Sequence, residues 1–314
     1  MPLATLKTST LILTLALAAS AAAQSPKGYA PGQRVLLDAH NSYPYQGRWS
    51  DRVDRALATG IPVAIEQDLM WRPSTATKPA HSIVSHGGPF TGEEPTLRDF
   101  FERIRPIVTP ALTAASREQW PLITLNLDFK DSEPQHFLAI WNLLGEYEEW
   151  LTTAKRTETD QRPEPLRLGP VLVLTGADPS QQMLFHDAVP IGAQLRLFGA
   201  ALPFTPTATN YRRWSNNPWS VIEQEGQNNA GEWTPEDAER LHLRVRTAHD
   251  AGLWIRFYTL NGHSTEHGER MGWSPGYNFA SLEAARIRWR AAIAAGVDFV
   301  ATDQYEEYHQ ISSR

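Results

Sequence analysis

The stretch Leu122-Ile-Thr-Leu-Asn-Leu-Asp-Phe-Lys130 decides the fold, because polar and apolar residues alternate along it. Successive side chains of a β-strand point to opposite faces, so Asn126, Asp128 and Lys130 share one face. The opposite face is apolar and carries Leu125, Leu127 and Phe129. Such a strand suits an α/β barrel in which helices cover the apolar face and polar residues reach the mouth, where active sites of that fold lie.

A second stretch, Ile61-Pro-Val-Ala-Ile-Glu-Gln-Asp-Leu69, places Glu66 and Asp68 on one face at its carboxyl end. Two strands with acids at the same end predict a site for a hard cation, because Mg²⁺ and Ca²⁺ take carboxylate oxygens as ligands. The alternative is a satisfied network of buried ion pairs, in which Lys130 simply neutralises Asp128.

Short apolar runs alternate with helical patterns along the rest of the chain. The predicted strands span residues 35–38, 63–68, 122–129, 171–175, 194–198, 253–259 and 299–302, with an eighth near 219–223. The predicted helices span residues 51–59, 96–107, 134–153, 235–251 and 282–295. Thr234 before Pro235 is a typical helix start. This order predicts a (β/α)₈ TIM-like barrel, regular or irregular, with long loops at its C-terminal mouth.

Two long connections, residues 203–233 and 261–281, are predicted to border the site. We expect their aromatic side chains to pack onto the barrel rather than into lipid, because no basic patch accompanies them. His263 and His267, four residues apart in the second loop, are expected to lie at the surface. The aromatic residues concerned are Tyr211, Trp214, Trp219, Trp233, Trp273 and Tyr277.

Residues 1–23 have the composition of a secretion signal. They carry one charge, Lys7, then an apolar run over residues 11–19 and the small residues Ala21-Ala22-Ala23. This pattern predicts cleavage after Ala23 and export to the periplasm or the medium, with residues 24–314 forming one domain. The apolar run is shorter than the about 20 residues of a membrane anchor, so no stable anchor is expected.

Charge and cysteine content exclude several classes of function. The net charge is −6, and it becomes −7 once Lys7 is removed with the signal. Nucleic-acid partners usually require a basic surface, so none is expected. The chain has no cysteine, which excludes disulfides, thiolate catalysis and cysteine-ligated zinc. The oligomeric state is not predicted.

Two histidines follow strands at the same predicted mouth. His40 and Asn41 come after the first strand, and His86 follows a short apolar run in Val84-Ser-His86. One imidazole can take a proton from a nucleophile while another protonates the leaving oxygen, so these histidines beside carboxylates indicate acid–base chemistry. His81 lies five residues before His86 but lacks the same sequence context.

Four blocks, in this order, resemble the phospholipase-C-like phosphodiesterase superfamily. That superfamily includes glycerophosphodiester phosphodiesterases, phosphatidylinositol-specific phospholipases C and the fungal altered-inheritance-of-mitochondria group. The blocks are His40-Asn41-Ser42-Tyr43, residues 60–68 with Glu66-Gln-Asp68, Val84-Ser-His86 and Asn126-Leu-Asp128-Phe-Lys130. The ending Gly296-Val-Asp-Phe-Val-Ala-Thr-Asp303 resembles the last strand of these proteins, so the similarity extends along the whole chain.

The resemblance implies a role for each matching residue. It implies one divalent cation, Mg²⁺ or Ca²⁺, an acid–base pair and contacts to the substrate phosphate. The residues are, respectively, Glu66, Asp68 and Asp128; His40 and His86; and Lys130, Asn41 and Arg256. Asn41 could equally ligate the metal, and both Arg256 and Asp303 could instead be structural ion-pair partners.

The sequence therefore predicts a metal-dependent phosphodiesterase acting on a small-molecule or lipid-headgroup substrate, such as a glycerophosphodiester or a phosphoinositide headgroup. The pairs His40-Asn41 and His86-Gly87 differ from the His-Arg-Gly and His-Asp of glycerophosphodiesterases, so the headgroup stays open. Mg²⁺ versus Ca²⁺ and a cyclic versus a hydrolysed product stay open too. The alternatives are a glycoside hydrolase using Glu66 with a second acid, and a non-catalytic barrel that binds headgroups or carbohydrate.

Overall fold

The computed structural model describes residues 29–44, 50–202, 207–271 and 275–313, so the predicted signal segment lies outside the described residues. Eight parallel strands close into a barrel, because the first pairs with both the second and the last. The strands are β1 (Leu36–Ala39), β2 (Val63–Arg72), β3 (Ile123–Phe129), β4 (Val171–Thr175), β5 (Phe198–Ala200), β6 (Arg212–Pro218), β7 (Trp254–Tyr258) and β8 (Phe299–Thr302). The predicted TIM-like barrel is confirmed.

Helices connect most of these strands and cover their outer faces. They are α1 (Arg52–Ala58), α2 (Leu97–Thr113), α3 (Pro134–Glu146), α4 (Pro179–Gln182, continued by a π-helical turn Met183–Asp187), α5 (Pro235–Asp250), α6 (Thr265–Met271), α7 (Leu282–Ala295) and α8 (Tyr305–Ser312). Between β5 and β6 no helix occurs in the residues that the structure describes, so the barrel is irregular there. Short 3-10 turns occupy Glu148–Trp150, Trp219–Val221, Gln227–Asn229 and Pro275–Tyr277.

Four further strands lie outside the barrel. His81–Val84 pairs antiparallel with the end of β2 and forms a hairpin at the mouth. Thr153–Lys155, Leu166–Arg167 and Gln194–Leu195 form a separate three-stranded sheet. The predicted helix 134–153 instead ends at Glu146 and is followed by a 3-10 turn. Residues 194–195 of the predicted strand 194–198 belong to the small sheet, and only Phe198 belongs to β5.

The predicted eighth strand near residues 219–223 is wrong. Trp219 begins a 3-10 turn, and the strand is β6, seven residues earlier. The strand β6 is not an apolar run, because its inward residue Asn216 is polar, so the sequence pattern does not indicate it. Asn216 accepts a hydrogen bond from Arg256 Nη1 at 3.2 Å. The predicted start of α5 is confirmed: Thr234 and Asp237 form a reciprocal capping box.

The barrel interior changes character along its axis. Inward residues follow one another at every second position, which gives Ala64, Glu66 and Asp68 on β2 and Trp254 and Arg256 on β7. The lower residues belong to a buried apolar cluster that fills the N-terminal end of the barrel. A packed apolar floor therefore supports a charged layer near the mouth.

Candidate active site

The structure brings the three predicted metal ligands together. β2 and β3 pair in a register that places Asp68 opposite Asp128, and Glu66 opposite Asn126. One carboxylate oxygen each of Glu66, Asp68 and Asp128 lies within 4.8 Å of the others. The strand alternation noted in the sequence is therefore sufficient to gather these groups at one end of the barrel.

Each of these carboxylates has at least one oxygen held by a neighbour. Arg256 Nη2 lies 2.9 Å from Glu66 Oε1, and Lys130 Nζ lies 3.0 Å from Asp68 Oδ2 and 2.6 Å from Asp128 Oδ2. The other oxygen of Asp68, Oδ1, is buried and has no hydrogen-bond partner among the described residues. A buried, unpaired carboxylate oxygen is costly unless something binds it, and it is a suitable ligand for a cation.

His40 lies between two carboxylates beside this group. Its Nε2 is 3.3 Å from Glu66 Oε2, and its Nδ1 is 3.1 Å from Asp303 Oδ1. Asn41, the next residue, has a left-handed backbone with φ 55°, a conformation that asparagine tolerates better than most residues. That turn directs the Asn41 main-chain N–H to Glu66 Oε2 at 3.2 Å and its side-chain amide to Asp303 at 2.8 Å.

Burial and the charges of neighbouring groups together determine the pKa values here. Burial lowers the pKa of His40, but Glu66 and Asp303 outweigh it and raise that pKa to about 9. Burial and the charge of Glu66 raise the pKa of Asp68 to about 7. Burial raises the pKa of Asp303, yet His40 and Arg52 bring it down to about 2. Glu66 and Asp68 thus repel each other, which is the electrostatic setting that a bound cation relieves.

His86 lies in the loop that follows the hairpin strand. The preceding residue, Ser85, donates its N–H to the Asp68 carbonyl at 2.9 Å, which fixes the loop beside β2. Burial and the positive charge of Lys130 lower the pKa of His86, although its side chain is largely exposed. His81 is at the other end of the strand, where its Nδ1 lies 2.9 Å from the Pro79 carbonyl.

Arg256 lies below the mouth rather than in it. Its side chain is 3% exposed and pairs with Asp38 and Glu66, and its pKa is raised by these carboxylates against the effect of burial. The geometry favours an ion-pair role, and a phosphate contact by Arg256 stays a prediction. Four carboxyl groups thus lie beside the two permanent cations Arg256 and Lys130. They belong to Asp38, Glu66, Asp68 and Asp128.

Two residues of the site have no predicted role in the sequence. Asp38 lies two residues before His40, so the alternation along β1 could have indicated its inward position. Tyr43 occurs in the first motif block, and its hydroxyl lies 2.8 Å from Asp68 Oδ2. Nothing in the sequence pairs Tyr43 with Asp68, because their contact joins the loop after β1 to the end of β2.

The expectation that His263 and His267 are surface residues of a loop is wrong in part. His267 lies in α6, whereas His263 is buried just before this helix. Their ring centres are 5.2 Å apart. Burial lowers the pKa of His263 to about 4, so this ring is neutral at pH 7.

The long aromatic segments mostly belong to the core, as expected. Tyr211, Trp214 and Trp219 are at most 1% exposed; Trp214 lies in β6, and Tyr211 lies immediately before it. Tyr277 is 38% exposed, and Trp273 lies outside the described residues. Among the described residues, no helix is long and apolar enough to cross a membrane.

Comparison with known proteins adds little to this geometry. No family model matches the chain, and no curated protein sequence matches it. Among solved structures, a glycerophosphoryl diester phosphodiesterase from Parabacteroides distasonis is similar to it. The match has 14% sequence identity and a TM-score of 0.44, and it covers 91% of this chain and 89% of that chain. A likeness at this level carries no argument about activity, so a functional conclusion rests on the residues of the barrel mouth.

Proposed function

We propose that the chain is an exported, metal-dependent phosphodiesterase that uses His40 and His86 for acid–base catalysis. The observation that carries this proposal is the convergence of Glu66, Asp68 and Asp128 beside Lys130 and both histidines at the mouth of the barrel. The substrate would be a small-molecule or headgroup phosphodiester, such as a glycerophosphodiester or a phosphoinositide headgroup. The motif resemblance supports the same reaction.

The carboxylates fit a divalent cation by their chemistry. Asp68 Oδ1 is a buried acceptor with no hydrogen-bond partner in the described part of the chain, while its Oδ2 is held by Tyr43 and Lys130. Oxygen donors of this kind suit Mg²⁺ or Ca²⁺. Such a cation, when bound, polarises a phosphoryl oxygen and offsets negative charge that develops in the transition state.

The residues of this chain would supply the remaining chemistry. The Lys130 ammonium adds a positive contact for the phosphate. Water, or a substrate hydroxyl beside the ester, attacks phosphorus, and one imidazole accepts its proton. The other imidazole donates a proton to the leaving oxygen as the P–O bond breaks. Asp303 holds His40 by its Nδ1, so that Nε2 faces Glu66 of the cation carboxylates.

Export and partners also belong to this proposal. The charge, apolar run and small residues of segment 1–23 support cleavage after Ala23 and a periplasmic or secreted protein of one domain. Burial of Trp214 and Trp219 makes these two aromatic side chains unable to insert into lipid. We therefore propose a dispersed substrate, no membrane anchor and no nucleic-acid partner.

The test is a substrate panel assayed with chelator, Mg²⁺ and Ca²⁺. Glycerophosphodiesters, phosphatidylinositol, lysophospholipids and bis-para-nitrophenyl phosphate are incubated with the protein, and products are identified by phosphorus NMR. We expect hydrolysis that chelation abolishes and one of the cations restores. Activity on a glycoside that is insensitive to chelator would favour a glycosidase instead. Binding without turnover across the panel would favour a non-catalytic barrel.

A further inference from the structure

One hydroxyl group connects Asp68 of the cation carboxylates to the residues that hold His40. The Tyr43 hydroxyl lies 2.8 Å from Asp68 Oδ2 and 2.6 Å from Asn41 Oδ1. Tyr43 is only 2% exposed, so bulk water does not compete for these contacts. A phenol has one proton, so the hydroxyl donates to one of these two acceptors at a time, and its oxygen lies within hydrogen-bond distance of both.

The connection continues through Asn41. Its side-chain nitrogen donates to Asp303 Oδ1 at 2.8 Å, and the same oxygen lies 3.1 Å from His40 Nδ1. A continuous set of hydrogen bonds thus runs from Asp68 through Tyr43, Asn41 and Asp303 to His40. Networks of this kind restrict several side chains together, because displacing one leaves a buried polar partner unpaired.

We propose that Tyr43 is a positioning residue that couples the cation site to His40. This inference rests on the proposed function, since it assumes that Asp68 ligates a cation. Tyr43 holds Asp68 by Oδ2 and leaves Oδ1 for the ion, and through Asn41 it holds the group that orients His40. Hydrogen bonds behind a metal ligand commonly change metal affinity or activity by about 10- to 100-fold when they are removed.

Asn41 is suited to this link by its backbone as well as its side chain. Its φ of 55° turns the chain sharply after β1, and Arg52 Nη1 donates to the Asn41 carbonyl at 2.6 Å. The amide can then reach Tyr43 with its oxygen and Asp303 with its nitrogen. Glycine would accept the same backbone without strain but would remove both side-chain contacts.

The test compares Tyr43→Phe with Tyr211→Phe. Tyr211 is a matched control, because it is also buried and its hydroxyl has no hydrogen-bond partner among the described residues. Titration calorimetry with Mg²⁺ and with Ca²⁺ gives the cation affinity, and turnover is measured at saturating cation. We expect Tyr43→Phe to weaken cation binding by about 10- to 100-fold and to lower turnover even when the cation saturates. Tyr211→Phe should change neither quantity.

A double-mutant cycle tests whether the residues act as one unit. Asn41→Gly should lower turnover, and adding Tyr43→Phe should lower it by less than the product of the two separate losses. Losses that multiply fully would overturn the coupling, as would full recovery of Tyr43→Phe at high cation. Wild-type protein that binds no cation would overturn the proposed function and this inference together. Cation binding that Tyr43→Phe leaves unchanged would overturn this inference alone.

Discussion

Two buried arginines of this chain are paired in different ways. Arg288 on α7 donates to both oxygens of one carboxylate, that of Glu223, at 3.0 and 2.6 Å. Arg256 on β7 instead faces two carboxylates, Asp38 and Glu66. The two arginines are 2% and 3% exposed, so neither is compensated by bulk water. The two groups differ in charge balance. Arg288 and Glu223 carry one charge of each sign, whereas Arg256 faces two carboxylates.

The difference separates a structural ion pair from an ion pair at the candidate cation site. Glu223 also accepts the indole N–H of Trp219 at 2.6 Å, so all its neighbours are donors of this chain. Burial raises the pKa of Glu66, but His40, Arg256 and Lys130 outweigh it and lower that pKa. The charge of Glu66 in turn adds to burial and raises the pKa of the neighbouring Asp38 and Asp68. Excess buried charge destabilises a fold unless a ligand or a reaction uses it. The carboxylates of the barrel mouth thus suit the proposed cation, whereas the Glu223–Arg288 pair is already balanced.

The largest expected effect comes from Asp68→Asn, which removes one of the carboxylates at the barrel mouth. Turnover should fall by about 10³-fold, because the site loses a cation ligand and its electrostatic stabilisation of the transition state. Unfolding in chelator should show no loss of stability, since asparagine relieves the repulsion with Glu66. Asp250→Asn, at the exposed end of α5, is the control. Turnover within tenfold of wild type would contradict the excess-charge interpretation.

The opposite result is expected for the matched pair. Glu223→Gln leaves Arg288 buried without its counter-ion and should lower the free energy of unfolding by about 3–5 kcal/mol. Cation affinity and turnover of the folded fraction should equal those of wild type. Replacing both residues, in Glu223→Leu with Arg288→Met, should recover most of the lost stability, because no charge is left unpaired. Denaturant unfolding measures each free energy. A lower cation affinity in Glu223→Gln would show that the Glu223–Arg288 pair also affects the barrel mouth, which would contradict its purely structural role.

Sequence reasoning predicts the positions of the candidate site residues better than the Glu223–Arg288 pair. The alternation along β2 and β3 is strict, so the faces of Glu66, Asp68 and Asp128 follow from period two alone. The same alternation gives the inward face of Arg256 on β7. It does not give how far below the mouth Arg256 lies, because that depends on the pairing of β7 with its neighbours. Glu223 and Arg288 are 65 residues apart, and only the packing of the 219–233 segment on α7 brings them together. Tyr43 is missed for the same reason.

A smaller loss of activity is expected from removing either histidine of the mouth. His40→Ala and His86→Ala should each lower turnover by about 10²-fold, since they transfer protons, while cation affinity stays largely intact. Rate and cation affinity are measured together. His309→Ala, an exposed histidine of α8, is the control. A variant with wild-type turnover would remove its histidine from the mechanism, and one that also lost the cation would place that histidine among the ligands.

The hairpin that carries His86 is held by a further polar group. Ser82 Oγ lies 2.7 Å from His136 Nε2, and His136 Nδ1 lies 2.9 Å from Asp131 Oδ1. This order of hydroxyl, imidazole and carboxylate occurs in nucleophilic catalysis. Here His136 is fully buried between the rings of Trp71 and Phe129, which leaves no approach for a substrate. We interpret the group as a brace between the hairpin and α3.

The smallest expected effect therefore comes from Ser82→Ala, which leaves a buried imidazole nitrogen without its partner. The free energy of unfolding should fall by about 1–2 kcal/mol, which is the usual cost of such a group. Turnover should stay close to wild type, because the pairing of the hairpin strand with β2 still positions the loop of His86. Asp131→Asn tests the same brace from its other end, and the double variant should be less destabilised than the sum of both. A loss of turnover as large as that of His86→Ala would instead show that the brace sets the position of His86. Catalysis at the barrel mouth would then depend on the contact between the hairpin and α3.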